Sequence, residues 1–178
     1  MLHGAKRRFR IESRGTAIRA DLRYIAHDRV LLDALRSNDI AVVRAEVGRL
    51  QHSQRVKHVT RIRVLQGSRV LVDGWPTSFD VAGSERKLRD RNGRSLGRIQ
   101  VTIQDIIGFI KLEHRHEGTE VVVRGAQGQV RTLLPAARGV SLPAMGCVRV
   151  GGRHYVVRSF KEAGFIGESL TIWLLTRA

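Results

Sequence analysis

Three residues near the end of the chain combine the chemistry and the spacing of an anion-binding site. Arg153 and Tyr155 stand two residues apart in an apolar, β-branched segment that predicts a strand, so their side chains share one face. Arg158 falls on the other face, so only one of the two arginines can accompany Tyr155. A guanidinium group offers two parallel N–H donors that fit a carboxylate. The segment therefore predicts contacts to a small organic anion, with exposed strand positions as the alternative interpretation.

Two more residues are candidates for the same pocket. Arg131 lies on the preceding predicted hairpin, and Trp75 follows the end of an earlier strand, where it either caps a pocket or packs at the edge of the core. Gln100 and its alternate neighbours Thr102 and Gln104 face either solvent or the pocket, and both interpretations stay open. The expected ligand-binding residues are Trp75, Arg131, Arg153, Tyr155 and Arg158.

The sequence carries no catalytic or metal-binding pattern. His114 and His116 are two positions apart, and residues at that spacing do not face each other on a helix. Zinc needs three or four converging ligands, and the other candidates, Cys147 and His154, are distant in sequence. The G-x-S-x-G, phosphate-loop and H-E-x-x-H motifs are absent. We therefore expect a protein that is not an enzyme, with no catalytic residue, no metal and no cofactor.

The middle of the chain predicts the elements that would position such a pocket. Residues 59–65 and 70–72 are apolar, β-branched runs on either side of Gln66-Gly67-Ser68, which predicts a β-hairpin. Residues 97–103 alternate polar and apolar side chains, as a strand with one buried face does. From Ile106 the apolar period changes to about 3.6 residues, which predicts a helix that covers the sheet.

Two amphipathic helices precede these strands. Residues 16–36 and 40–52 carry apolar residues at spacings of three and four, and the cap-forming residues Ser37-Asn38-Asp39 lie between them. Strand patterns recur from residue 120 to residue 175, joined by hairpin turns. Helices grouped before and between antiparallel strands predict the α+β class. The residues expected in the core are Ile62, Val64, Ile99, Val101, Ile103, Ile110, Val122, Val156, Ile172 and Leu174.

Four segments of the sequence can be compared with a known family. They read R-I-R-V-L-Q-G-S-R-V-L-V-D, which ends at Asp73, then L-R-D-R-N-G-R-S-L-G-R-I-Q-V-T-I-Q, V-V-V-R-G-A-Q-G-Q-V-R-T-L-L and V-R-V-G-G-R-H-Y-V-V-R-S-F. In this order, over residues 16 to 176, the chain resembles the Cache or PDC type of PAS-like sensor domain, which stands outside the membrane in bacterial signalling receptors.

The resemblance implies a PAS-like antiparallel sheet with an N-terminal helical pair and a covering helix. A basic N-terminal tail, residues 1–15, would precede a single sensor domain, residues 16–178. The implied function is ligand sensing in a bacterial signal-transduction receptor, in which a small molecule, with an anion as one candidate, binds beside the sheet and displaces the N-terminal helix. The implied location is the extracytoplasmic face of a bacterial membrane, with the membrane anchor outside this chain; the cytoplasm is the alternative.

Composition leaves two other classes of function open. The 178 residues contain 32 Lys and Arg against 16 Asp and Glu, a net charge of +16 that is typical of proteins that bind nucleic acid. Lysine occurs at five positions, so 27 basic residues are arginines, and they are scattered except in the run 6–10. A nucleic-acid partner is therefore not expected. The other alternative is a dimerisation module without a ligand, a homodimer in which the N-terminal helices of two copies pack together.

Overall fold

The computed structural model describes residues 2–56, 59–74 and 80–178, which form five α-helices, one short 3₁₀ helix and nine strands. The helices are α1 (Leu2–Arg14), α2 (Thr16–Ile25), α3 (Arg29–Ser37), α4 (Ile40–Gln51) and α5 (Ile106–Glu117), with the 3₁₀ helix at Pro135–Ala137. The strands are β1 (Arg61–Gln66), β2 (Arg69–Asp73), β3 (Ser84–Arg89), β4 (Ser95–Thr102), β5 (Glu120–Gly125), β6 (Val130–Thr132), β7 (Met145–Val150), β8 (Arg153–Ala163) and β9 (Ser169–Arg177).

Helices α2, α3 and α4 correspond to the predicted N-terminal helical pair, which is confirmed. The first predicted helix is divided because Asp28 begins a new one: its side chain accepts a 2.9 Å hydrogen bond from the Leu31 backbone N–H. Asn38 ends α3 in the left-handed region, at φ 56°. Asp39 then caps α4 by accepting a 3.1 Å hydrogen bond from the Val42 N–H.

The first sheet is antiparallel, with strand order β2-β1-β4-β3. Ile62 and Val64 of β1 lie opposite Val101 and Ile99 of β4, and all four are fully buried in a core shared with α2, α3 and α4. The helices therefore cover one face of this sheet. Sheet and helices together form one compact unit, Glu12–Ser78 and Gly83–Gln104.

The second sheet, with strand order β6-β5-β9-β8-β7, is also antiparallel and buries apolar side chains on both faces. Helices α1 and α5 contribute to the core of one face, where the Phe9 and Phe109 rings meet edge to face with 5.2 Å between their centroids. Tyr155, Val157 and Trp173 belong to the core of the other face. These elements form the second compact unit, Met1–Ile11, Phe79–Ala82 and Asp105–Ala178.

Two features of the organisation go beyond what the sequence predicted. The strands divide into two sheets because each set buries an apolar core of its own. Residues 2–14 are helical, since Ala5 and Phe9, four positions apart, are buried in the core of the second unit. Lys6 in the same turn lies 5.7 Å from the centre of the Phe160 ring. The basic run 6–10 therefore takes part in packing.

The α+β class, the antiparallel strands and the covering helix are confirmed. Eight of the ten residues expected in the core are buried, and Ile103 is half-buried. The prediction for Val156 is wrong, because Tyr155 and Val157 are the buried pair and Val156 between them is 38% exposed. Within the described ranges, no helix is long and apolar enough to cross a membrane.

Candidate functional site

The predicted anion site is distributed over both faces of the second sheet. Arg131 and Arg158 pair across the strands with residues of the core that α1 and α5 share. Tyr155 belongs to the opposite core, and Arg153 is two residues before it on the same face. The strand order also places β5 and β9 between Arg131 on β6 and the three other residues on β8.

The structure therefore does not bring the predicted set together. Tyr155 is 1% exposed, and its apolar neighbours fill the space around it. Arg153 and Arg158 are exposed, and Arg131 is half-buried. Trp75 lies outside the described residues. Contact of these side chains with a ligand stays a prediction, and any such contact would involve separate surfaces.

A more concentrated polar arrangement occupies the face of the first sheet that α2, α3 and α4 do not cover. Arg63 of β1 lies opposite Asp73 of β2 on one side and Gln100 of β4 on the other, and Gln100 lies opposite Glu85 of β3. One residue from each strand thus forms a straight line across the sheet. We call these four residues, together with Arg98, which lies two positions before Gln100 on the same face of β4, the polar row.

Local sequence explains why polar side chains gather on this face. In β1 the apolar Ile62 and Val64 point to the helices, so the alternate residues Arg61 and Arg63 point away from them. In β4 the same alternation sends Arg98 and Gln100 to the polar face, together with Thr102. Of the three polar residues whose position the sequence left open, Gln100 therefore lies in the row.

Ion pairs and hydrogen bonds hold the two ends of the row. Arg61 donates from Nε and Nη2 to the two carboxylate oxygens of Asp73, at 2.7 Å each, and Arg63 Nε is 3.6 Å from Asp73 Oδ2. At the other end, Gln100 Nε2 donates to Glu85 Oε2 at 2.8 Å, and Arg98 Nη1 is 3.6 Å from Glu85 Oε1. Both carboxylates are therefore engaged, which fixes the side chains beside them.

Three polar atoms in the middle of this face have no hydrogen-bond partner among the described residues. They are Arg63 Nε, Arg98 Nε and the side-chain oxygen of Gln100, and each is buried. A buried donor or acceptor without a hydrogen bond costs about 1–3 kcal/mol. At Arg63 the carboxylate of Asp73, 3.6 Å from Nε, offsets part of this cost. The two donors and the acceptor belong to neighbouring positions of β1 and β4, within reach of one small molecule.

Cavities adjoin two residues of this arrangement, Arg98 and Asp73. At Arg98 a cavity of about 360 Å³ is lined by Gly67, Ser68, Lys87, Ser95, Gly97 and Arg98. At Asp73 a cavity of about 340 Å³ lies beside α4, where Gln51 donates from Nε2 to the Thr60 carbonyl oxygen at 2.7 Å. The Gln51 side-chain oxygen there is buried and unpaired. Both volumes fall within or near the range of small-molecule sites, about 300–1,000 Å³.

Metal chemistry receives no support from the described residues. Across residues 2–56, 59–74 and 80–178, no group of three or more His, Cys, Asp or Glu side chains could hold a metal ion. His114, one of the two histidines considered from the sequence, has Nδ1 3.6 Å from Glu120 Oε1. The polar row itself offers guanidinium, amide and carboxylate groups, which suit binding of a charged molecule.

Sequence reasoning found only part of this site. Asp73 was identified as the residue that ends the hairpin strand, and Gln100 as a polar position of the third strand, but Arg63, Arg98 and Glu85 were not considered. The alternation within each strand was a usable signal. What was missing was the register between strands, because only pairing aligns Arg63 with both Asp73 and Gln100.

Comparison with solved structures identifies the fold. The periplasmic domain of Vibrio cholerae LuxQ superposes with a TM-score of 0.58 at 12% sequence identity, covering 91% of this chain and 92% of that one. A selenomethionine crystal structure of the same domain gives a TM-score of 0.57 at 12% identity, with 91% and 90% coverage. The ligand-binding domain of the Pseudomonas fluorescens chemoreceptor CtaA, in complex with L-isoleucine, is similar at a TM-score of 0.43 and 11% identity, covering 88% of this chain and 82% of that one.

No protein-family model matches the sequence, and no curated protein is similar to it in sequence. The similarity to known proteins is therefore a similarity of fold. Both sheets and their helices contribute to the superposition on LuxQ, since it covers nine-tenths of each chain. The chain has the fold of the LuxQ periplasmic domain, so the resemblance to an extracytoplasmic sensor domain is confirmed at the level of the fold.

Proposed function

We propose that this chain is the ligand-sensing domain of a bacterial signal-transduction receptor and that the polar row binds its ligand. The observation that carries the proposal is a set of three buried polar atoms on one sheet face, on Arg63, Arg98 and Gln100, that form no hydrogen bond with the described residues. Buried polar groups in folded proteins are nearly always hydrogen-bonded, to protein, to ordered water or to a ligand, so these three atoms are candidates for ligand contacts. In keeping with the fold, we place the domain on the extracytoplasmic side of the membrane.

The chemistry of the row defines the ligand class. Two guanidinium Nε donors require an acceptor, and a carboxylate gains charge-assisted hydrogen bonds from them. The Gln100 oxygen requires a donor, which an amine, amide or hydroxyl group supplies. A small molecule with an acidic group and a nearby N–H or O–H donor satisfies all three atoms, whereas an apolar molecule satisfies none.

Binding at this face offers a route to the helices. Strands β1 and β4 carry the polar row on one face and pack against α2, α3 and α4 on the other. A ligand that draws Arg63 and Arg98 together favours one arrangement of these strands, and helices packed on the same strands respond to it. A ligand shifts such an equilibrium only by its difference in affinity for the two arrangements. We propose sensing by this population shift, without catalysis.

A thermal-shift screen with matched variants tests the proposal. The chain is melted with a panel of organic acids, amino acids and amines, and a true ligand present at 100 times its Kd should stabilise it by about 2.7 kcal/mol. Arg63→Met and Arg98→Met should lose this stabilisation and still fold, because Arg61 continues to pair with Asp73 and Gln100 with Glu85. Arg69→Met, at an exposed position of β2, is the control and should keep it.

Two results would contradict the proposal. In the first, a panel compound stabilises both Met variants of the row as strongly as it stabilises the parent chain. In the second, Arg153→Met or Arg131→Met abolishes the stabilisation while the row variants retain it, which would assign the ligand to the residues expected from sequence alone. Loss in the row variants only, with Arg69→Met unaffected, is the result that we expect.

A further inference from the structure

A second feature of the first unit lies away from the polar row, between helix α2 and the outer strand β3. A cavity of about 540 Å³ opens there, which we call the α2–β3 groove. It is lined by Arg19, Leu22, Arg23, Gly83, Ser84, Glu85 and Arg86. One wall is a helix, the other is a strand, and Leu22 at the base is buried.

Strand β3 forms the end of its sheet. Its one strand neighbour in the described chain is β4, so its other edge presents backbone N–H and C=O groups that no strand pairs. Arg86 lies opposite Ile99, a residue buried under the helices, so its side chain is directed to the same side of the sheet as α2. An unpaired edge and a helix thus flank one groove.

The groove is strongly positive. Arg19 and Arg23 are one turn apart on α2, and Arg86 faces them from β3. Neither Arg23 nor Arg86 forms an ion pair or a side-chain hydrogen bond with the described residues. The acidic residue of the lining, Glu85, directs its carboxylate to Gln100 on the opposite face of the sheet. The groove therefore has guanidinium groups available for anions.

Arginines continue along α2. Arg23 also lines a neighbouring cavity of about 770 Å³, together with Arg29, Arg55 and the acidic Asp28. The Arg55 guanidinium lies 5.9 Å from the centre of the Tyr24 ring, which also lines this cavity. Helix α2 has 10 residues, about 15 Å at 1.5 Å per residue, a length that an extended segment of about four or five residues spans.

We propose that an extended acidic segment of a partner protein binds the α2–β3 groove by adding to the edge of β3 as a further strand. Backbone hydrogen bonds to the free edge would give affinity, and carboxylates at alternate positions would reach Arg23 and Arg86. A second copy of this chain does not fit, since its β3 carries the same positive charges and like charges on paired strands destabilise. A phosphate backbone could meet the arginines but could not pair with a strand edge.

Fluorescence anisotropy with a designed peptide tests this proposal. The probe is a labelled eight-residue peptide in which Glu and Val alternate, and its control is the same peptide with Lys in place of Glu. We expect binding of the Glu peptide only, weakened about tenfold or more by Arg23→Glu or Arg86→Glu, because a like charge replaces each attraction. Arg91→Glu, an exposed change of equal charge in the β3–β4 turn, should alter the affinity less than about twofold.

Hydrogen exchange separates strand addition from simple charge attraction. Amides of β3 should become protected when the Glu peptide binds, and those of the second sheet should not change. Three results would overturn the proposal. The Glu peptide does not bind, it binds the Arg86→Glu and Arg91→Glu variants equally, or it binds without protecting the amides of β3. The proposal would also be overturned by a DNA duplex that binds as tightly as the Glu peptide and competes with it, or by a dimer of the chain that buries the edge of β3.

Discussion

At the scale of single residues, Arg8 shows how the chain uses its arginines in packing. Its Nε and Nη2 atoms donate to the two carboxylate oxygens of Glu113 at 2.6 and 2.8 Å, and Nη1 is 3.0 Å from Glu117 Oε1. The hydrogen bond to Glu113 raises the pKa of Arg8 above its ordinary value. A group whose pKa is raised in the folded state stabilises the fold at every pH below its unfolded-state pKa. The contribution of Arg8 is therefore complete at neutral pH and is lost only in strong alkali.

Arg8→Met should destabilise the chain by about 3 kcal/mol, because it leaves the carboxylate of Glu113, which is 1% exposed, buried and without its bidentate partner. The double variant Arg8→Met, Glu113→Leu should recover most of this loss, since a buried ion pair can be replaced by apolar side chains at little cost. Urea unfolding of the single and double variants measures both values. If Arg8→Met lowers the free energy of unfolding by less than about 0.5 kcal/mol, the Arg8–Glu113 ion pair contributes no more than an exposed ion pair does.

At the scale of elements, helix caps and strand alternation were readable from the sequence, and strand partners were not. Asp39 and the 3.6-residue period after Ile106 predicted helices that the structure contains. The buried face of β8 was predicted wrongly because this strand buries Tyr155 on one face and Phe160 on the other, so a single alternation does not describe it. The division into two sheets depends on which strands pair, and that depends on contacts between distant segments.

A pair of aspartate substitutions distinguishes the two kinds of strand position. Val101→Asp should prevent the first unit from folding, because the side chain is fully buried and an unpaired carboxylate costs several kcal/mol against a total stability of roughly 5–15. Val156→Asp should cost about 1 kcal/mol, the strand-propensity difference at an exposed position. Circular dichroism and urea unfolding measure both effects. A folded Val101→Asp variant, or severe unfolding by Val156→Asp, would refute the strand registers described above.

Gly97 fixes the approach of β1 to β4. Its φ is 153°, and a Cβ atom there would overlap the Leu65 carbonyl oxygen. Gly97→Ala should therefore cost about 4 kcal/mol, combining backbone strain with overpacking. Gly93→Ala, at φ 77° with open space around it, should cost about 1 kcal/mol from the backbone alone. Equal melting temperatures for the two variants would contradict this account of the β1–β4 contact.

At the scale of the whole molecule, the net charge of +16 is partly a consequence of arginines with structural partners. Arg8, Arg49 and Arg61 each pair with carboxylates, while others line the polar row and the α2–β3 groove. The arginines thus fall into three groups: those in structural ion pairs, those at the candidate ligand site and those at the candidate partner surface. Composition alone predicted a basic protein but could not assign these positions, because pairing of Arg61 with Asp73 depends on the β1–β2 register.

Duplex DNA should bind this chain weakly and without sequence preference. Scattered positive charges give affinities no better than about 1 µM at physiological salt, and these fall steeply as salt displaces the protein from phosphates. A gel-shift series at increasing salt, with two duplexes of equal length and different sequence, measures both properties. Sequence preference that persists at physiological salt would favour the nucleic-acid alternative over ligand sensing.

The central claim, that the polar row is the ligand site, is tested most directly by nuclear magnetic resonance of the arginine side chains. Signals of the Nε–H groups of Arg63 and Arg98 are assigned with the variants Arg63→Lys and Arg98→Lys, and the panel compound that most stabilises the chain is then titrated. We predict that both signals shift together and become protected from exchange with water, since both atoms gain an acceptor. Saturation by the compound with both signals unmoved, while the Arg153 or Arg131 signal shifts, would contradict the account.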